Sequence, residues 1–203
     1  VKGTTKTVKK LILATGNKGK IREINALFSD MDIEFIGLDE YPDLPEIIED
    51  GSTFRENALK KAKAVFAHTG FPSVSEDSGL EVDALRGAPG VLSARFASED
   101  AKDDDNIKKL LHELEGTPVG SRTARFVSVL CLFDGRGEHY FEGFVSGRIV
   151  NEPRGVSGFG YDPLFVPDGY NKTFAELGQD IKNSISHRAR SIERLKVFLK
   201  SYY

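Results

Sequence analysis

The 203-residue chain is 39% hydrophobic and 29% charged, and its formal net charge is −3. That length suits one ordinary domain with a sizeable core, and the composition is that of a chain that folds and stays in solution. A duplex nucleic-acid binder carries a basic excess, so the acidic balance argues against one, and no apolar run reaches the roughly 18–20 residues of a membrane span.

Residues 1–9 read as a polar, basic tail without the apolar centre of a signal peptide. "KLILAT" (10–15) is a short apolar run fit for a buried strand, followed by a helix with Ile21, Ile24, Leu27 and Phe28 on one face. "DIEFIGL" (32–38) alternates as a second strand, and the acidic, proline-bearing stretch 39–51 reads as a loop. Thr53 and Glu56 match a capping box, and the helix they open runs to about His68 before Gly70 and Pro72. "SVSEDSGLEVDAL" (73–85) reads as strand, sharp turn, strand. "RGAPGVLSARF" (86–96) reads as a loop returning to extended structure.

Asp103 to Leu114 carries a helical stripe of Ile107, Leu110, Leu111 and Leu114, with Gly116 as its stop. Two long strands flank Asp134-Gly135-Arg136-Gly137, the clearest hairpin in the chain. The only cysteine, Cys131, lies in the first of them as a small core residue; it allows no internal disulfide and suits a reducing cytosol. A glycine-rich loop (155–160) then enters an apolar segment, and a last helix covers about 184–202. Strand–helix–strand units together with a hairpin predict an α/β fold with a mixed sheet.

Four segments carry candidate chemistry. Thr15, Gly16, Asn17, Lys18, Gly19 and Lys20 form a glycine–lysine turn between strand and helix. Its backbone N–H groups and the helix N-terminus suit an anion, and the alternative is a plain turn with solvated lysines. It is not a Walker loop, because Gly19-Lys20 is followed by Ile21 rather than Ser or Thr. The second segment is the acidic loop with Glu46, Glu49 and Asp50, which offers hard oxygen ligands or simply a solvated surface; Lys61 follows two turns into the next helix.

The third is Glu76-Asp77-Ser78-Gly79. These are carboxylates at a strand end that suit a metal or a water, or else a turn bonded to its own backbone. Ser78 lacks the G-x-S-x-G elbow of a serine hydrolase. The fourth pairs Phe159 and Tyr161, set among glycines, with the donors Lys182, His187 and Arg188 near a helix start. Cations oppose the helix dipole there, which points to an anionic or carbonyl-bearing partner; surface decoration is the alternative.

"TGNKGK", "SEDSGLEVDAL", "GAPGVLSARF", "GFGYDPLF" and "KNSISHRARS" occur in this order from about residue 10 to the C-terminus. Together they resemble the inosine triphosphate pyrophosphatase family, which hydrolyses non-canonical purine nucleoside triphosphates to the monophosphate and pyrophosphate. The resemblance implies an elongated two-lobed α/β domain over 10–203, with a central mixed sheet, a cleft between the lobes and a homodimeric assembly. It implies that Thr15 to Lys20 hold the triphosphate and that Lys61 and Ser78 contact substrate, with Gly79 and Leu80 beside it. Glu49 and Asp77 would bind Mg²⁺, and Asp77 would also accept the proton of the attacking water. Phe159, Gly160, Tyr161 and Asp162 would form the base pocket, with Lys182, His187 and Arg188 around the base.

The implied substrates are inosine, deoxyinosine and xanthosine triphosphates, handled in the cytoplasm without nucleic acid or membrane. A related pyrophosphatase with another base preference, and a nucleotide sensor without turnover, are the rival readings. Donor logic separates oxo-purines from adenine: a 6-oxo purine accepts where Lys182, Arg188 and a protonated His187 donate, whereas adenine brings an amino donor.

Overall fold

The computed structural model describes residues 8–16, 21, 24, 25 and 27–202. Six strands form one mixed sheet in the order β2-β1-β3-β4-β5-β6. They are β1 (Lys9–Leu13), β2 (Ile33–Ile36), β3 (Ser73–Val82), β4 (Thr123–Phe133), β5 (Glu138–Ile149) and β6 (Phe165–Pro167). β1 runs parallel to both β2 and β3, and β6 closes the far edge antiparallel to β5. Helices bounded entirely by described residues are α1 (Phe54–Thr69), α2 (Asp103–Glu113), α3 (Phe174–Leu177), α4 (Gln179–Ile185) and α5 (His187–Tyr202). The α/β class and mixed sheet expected from the sequence are therefore present.

The chain divides into two units. The first holds residues 1–76, 130–141 and 194–203, and the second holds 77–129 and 142–193. In the first unit, β1 is buried from Leu11 to Leu13, and α1 lays Phe54, Ala58, Ala62 and Val65 inward at helical spacing. The two alanines let the helix backbone approach β3. Ser73 Oγ donates to the Ala62 carbonyl at 2.6 Å, and Ser75 Oγ donates to the Ala58 carbonyl. Alternate strand residues thus meet carbonyls one helical turn apart, which satisfies two buried hydroxyls and fixes the helix register.

Thr53 caps α1 by accepting from the Glu56 N–H at 3.1 Å. Glu56 reaches one residue further back than a closed capping box requires, to the Ser52 N–H at 2.7 Å. Gly70 ends the helix in the left-handed region, as expected for a glycine just past a helix end. Ile21, Ile24, Asn25 and Leu27 are helical; Ile24 and Phe28 are buried, but Leu27 faces out. At helical spacing Leu27 lies at the margin of the stripe that Ile24 and Phe28 share, which corrects its placement on the inner face.

The core of the second unit gathers Leu80 and Val82 of β3, Ile107, Leu110 and Leu114 at α2, and Phe126, Phe165 and Phe174. Phe126 meets Phe165 edge-on with ring centroids 4.8 Å apart. Each such side chain contributes about 1.5–3 kcal/mol on full burial.

Three sequence expectations need correction. Residues 73–82 form one continuous ten-residue strand, so Asp77-Ser78-Gly79 is not a turn, and Glu76 and Asp77 stand in mid-strand rather than at its end. The flanking buried residues, Val74, Ser75, Leu80 and Val82, hold this segment extended. Gly90–Arg95 forms a 3₁₀ helix instead of returning to extended structure. The last helix begins at His187, because Ser186 adopts an extended conformation between α4 and α5.

Candidate active site

In the first unit, β1 delivers Thr15 and Gly16 to the strand's C-terminal end, where the Thr15 carbonyl accepts from Leu38 N–H at 2.9 Å. Among the described residues, nothing stands within 4 Å of where a Cβ at Gly16 would lie. Asn17, Lys18, Gly19 and Lys20 lie outside the described residues. The acidic loop is tied to the start of α1 by Gly51 N–H, which donates to buried Asn57 Oδ1 at 2.7 Å. Lys61 is not plain surface charge. Its side chain is only 12% exposed, and its ammonium lies 2.8 Å from Glu49 Oε2. Asp50 pairs with Lys60, which holds the Asp50 carboxyl below its ordinary range.

In the second unit, Asp77 and Ser78 are half-buried on β3, and Gly79 and Leu80 are buried. Leu80 N–H donates to Ser93 Oγ at 2.8 Å, and Ser93 Oγ in turn donates to the Gly90 carbonyl at 2.6 Å. This tethers the strand to the 3₁₀ segment.

The loop 158–162 presents an aromatic ring with cations above it. Phe159 is 54% exposed. The Lys182 ammonium sits 4.2 Å from its ring centroid and the Arg188 guanidinium 5.7 Å. Lys182 is 5% exposed and forms an ion pair with Asp162, which is 2% exposed. Asp162 Oδ2 also accepts from the Phe159 N–H at 3.0 Å. Burial of both charges is tolerable because each is paired and the carboxylate takes a further hydrogen bond. Gly158 has φ +86, and a Cβ there would stand 2.1 Å from Asp162 Oδ2, so glycine is required for this loop to close.

Tyr161 turns inward instead of lining the exposed face. Its ring joins the core of the second unit, and its hydroxyl donates to the Ser93 carbonyl at 2.9 Å. Burial and nearby Asp103 push its phenol pKa up. His187 is buried and stacks on Phe126, with centroids 5.0 Å apart and ring planes 13° from parallel. This overturns the surface-decoration alternative for His187 and leaves Arg188 as the half-exposed member of the pair. Sequence reasoning missed Asp103, which accepts from Gly160 N–H at 2.6 Å. It also missed Ser93 and Phe126. Asp103 lay inside an acidic helix start, where only Asp105 is needed for the cap.

Among the described residues, no group of three or more His, Cys, Asp or Glu stands together as a metal cage. The Ham1 family model matches residues 11–198. The chain belongs to the Ham1 family. A dITP/XTP pyrophosphatase of Geobacter sulfurreducens is 48% identical over 188 residues, covering 92% of this chain and 94% of that one. Another, from Desulforamulus reducens, is 48% identical over 195 residues, 96% and 97% of the two chains. The Ham1 protein of Staphylococcus aureus superposes with a TM-score of 0.89 at 39% identity, over 96% of this chain and all of its own. That of Coxiella burnetii gives 0.90 at 40%, over 95% and 99%. The family membership drawn from five sequence motifs is thus borne out along almost the whole chain.

Proposed function

We propose that this Ham1-family chain hydrolyses non-canonical purine nucleoside triphosphates, namely ITP, dITP and XTP, to the monophosphate and pyrophosphate. The observation that carries the reading is the half-exposed Phe159 ring, with Lys182 and Arg188 poised over it in a chain 48% identical to dITP/XTP pyrophosphatases. A purine stacks on such a ring, and its 6-oxo group accepts from the ammonium. Lys182 has three N–H donors, and the bond to Asp162 uses one. Adenine brings a donor to the same place, so an oxo-purine is preferred by roughly 10⁴-fold where the polar groups are buried.

The phosphate end is assigned to Thr15 through Lys20, with Lys61 and Ser78 as further substrate contacts. A triphosphate carries about four negative charges, which backbone N–H groups and lysines of that segment would offset. The family resemblance assigns Glu49 and Asp77 to Mg²⁺ arriving with the substrate, and carboxylates are the ligand type that would hold it, since Mg²⁺ takes one or two protein carboxylates alongside phosphates. A Mg²⁺ held by these carboxylates would supply charge neutralisation for the triphosphate. Asp77 orients the attacking water and takes its proton, and Glu49, paired with Lys61, holds that ammonium toward the phosphates. The same reading treats residues 10–203 as one catalytic domain, cytoplasmic and homodimeric.

The test is pyrophosphate release from ITP, XTP, dITP, ATP and GTP, with Mg²⁺ and with EDTA, for the wild type and Asp77→Asn. ITP and XTP turn over at least about a hundredfold faster than ATP, EDTA abolishes turnover, and Asp77→Asn lowers kcat about a hundredfold or more while ITP still binds. Equal rates on ATP and ITP would sink the specificity. EDTA-insensitive turnover would remove the metal, and near-wild-type kcat in Asp77→Asn would remove Asp77 from the chemistry.

A further inference from the structure

Phe159 carries the proposed platform for the base, yet half of its side chain is exposed. Packing therefore does little to fix its pose, and a ring on a glycine-flanked loop keeps one direction only where its backbone is held. The peptide groups on both sides of Phe159 are held by carboxylates. Its own N–H donates to Asp162 at 3.0 Å, and the next N–H, that of Gly160, donates to Asp103 at 2.6 Å.

Asp162 belongs to the loop, whereas Asp103 comes from 57 positions earlier, at the first residue of α2. That helix is itself anchored: Asn106 donates to the Ala94 carbonyl at 3.0 Å and accepts from Ala97 N–H at 2.8 Å. The same 3₁₀ segment receives the Tyr161 hydroxyl at Ser93. Asp103 is not needed to cap α2, because Asp105 accepts from the Lys102 N–H.

We infer that Asp103 is a positioning residue for the substrate's base: its carboxylate holds the Gly160 amide and thereby the direction in which the Phe159 ring and the Lys182 ammonium are presented. The inference rests on the purine-binding reading of this loop. The acceptor oxygen, rather than the charge, does the holding, so an asparagine oxygen replaces it and an alanine does not.

The experiment compares Asp103→Ala, Asp103→Asn and the neighbouring control Asp104→Ala in the full chain. It reads amide exchange across residues 158–162 and steady-state pyrophosphate release from ITP. Asp103→Ala speeds exchange at Gly160 about tenfold and raises KM for ITP about five- to tenfold, with kcat within about twofold. Asp103→Asn and Asp104→Ala stay near wild type. Unchanged Gly160 exchange in Asp103→Ala, an unchanged KM, or an Asp103→Asn as impaired as Asp103→Ala, overturns the inference. If the wild type does not turn over ITP, it is the purine reading that falls; the exchange comparison still decides whether Asp103 holds the loop.

Discussion

Lys182 and Asp162 are both nearly buried, at 5% and 2% exposure, and they face each other in the second unit. Lys182→Met keeps the length of the side chain but leaves the Asp162 carboxylate buried without its cation. Breaking such a pair from one side costs about 3–5 kcal/mol, to be read by urea denaturation. Lys182→Met/Asp162→Asn removes the orphaned charge and keeps an acceptor for the Phe159 N–H, so it recovers part of that loss. A double variant no more stable than the single one would show that the pair carries no such coupling. Donor chemistry and misplaced aromatics brought Phe159, Tyr161, Lys182, His187 and Arg188 into one group in the sequence, and Gly160 and Asp162 joined it only through the family resemblance. The sequence did not reveal which members touch. Lys182 and Asp162 stand 20 positions apart, and their meeting depends on the loop's closure at Gly158. Tyr161 looked equivalent to Phe159 because both sit beside glycine, but one ring faces out and the other is core.

At the scale of elements, α5 begins close against β5. A Cβ at Gly143 would stand 2.0 Å from the His187 carbonyl oxygen and 2.6 Å from the Ser191 N–H. The same turn is held to β4 by the Ser128–Ser191 hydroxyl pair at 2.9 Å and by His187 on Phe126. Gly143→Ala therefore forces strand and helix apart, at a cost of about 2–3 kcal/mol, and lowers Tm by at least about 4 °C. An unchanged Tm would mean that the helix start moves freely. Helices with a clear apolar stripe and a glycine stop, such as α1 and α2, were legible in the sequence, as was the hairpin at 134–137. There Asp134 Oδ1 accepts from both Arg136 and Gly137 N–H groups. The continuity of β3 was not legible, because Asp-Ser-Gly is a turn signal that only burial on both sides overrides. The 3₁₀ helix at 90–95 is held by Ser93, and no periodicity announces it.

Over the whole molecule, the alternation of strands and helices fixed the class, but the sheet order β2-β1-β3-β4-β5-β6 depends on pairings that no local pattern records. Global stability at alkaline pH gives a measurable consequence of that burial. Cys131 is fully buried in β4, as its apolar run predicts, and burial, with the Glu138 carboxylate adding to it, pushes the thiol from 9.0 up to about 12. The folded value lies above the unfolded one, so the thiolate forms first in the unfolded chain. This contribution is intact below pH 9.0 and is lost as pH rises toward about 12. Tyr140, raised from 10.0 to about 12 chiefly by burial, acts in the same direction but starts one unit later. Between about pH 8.5 and 10, the Cys131 linkage removes about 1 kcal/mol from the wild type. Cys131→Ala lacks that term, so its urea-derived stability falls by about 1 kcal/mol less over the same interval, whatever its stability at neutral pH. Parallel losses in the two proteins would mean that the thiol is not kept neutral by the fold.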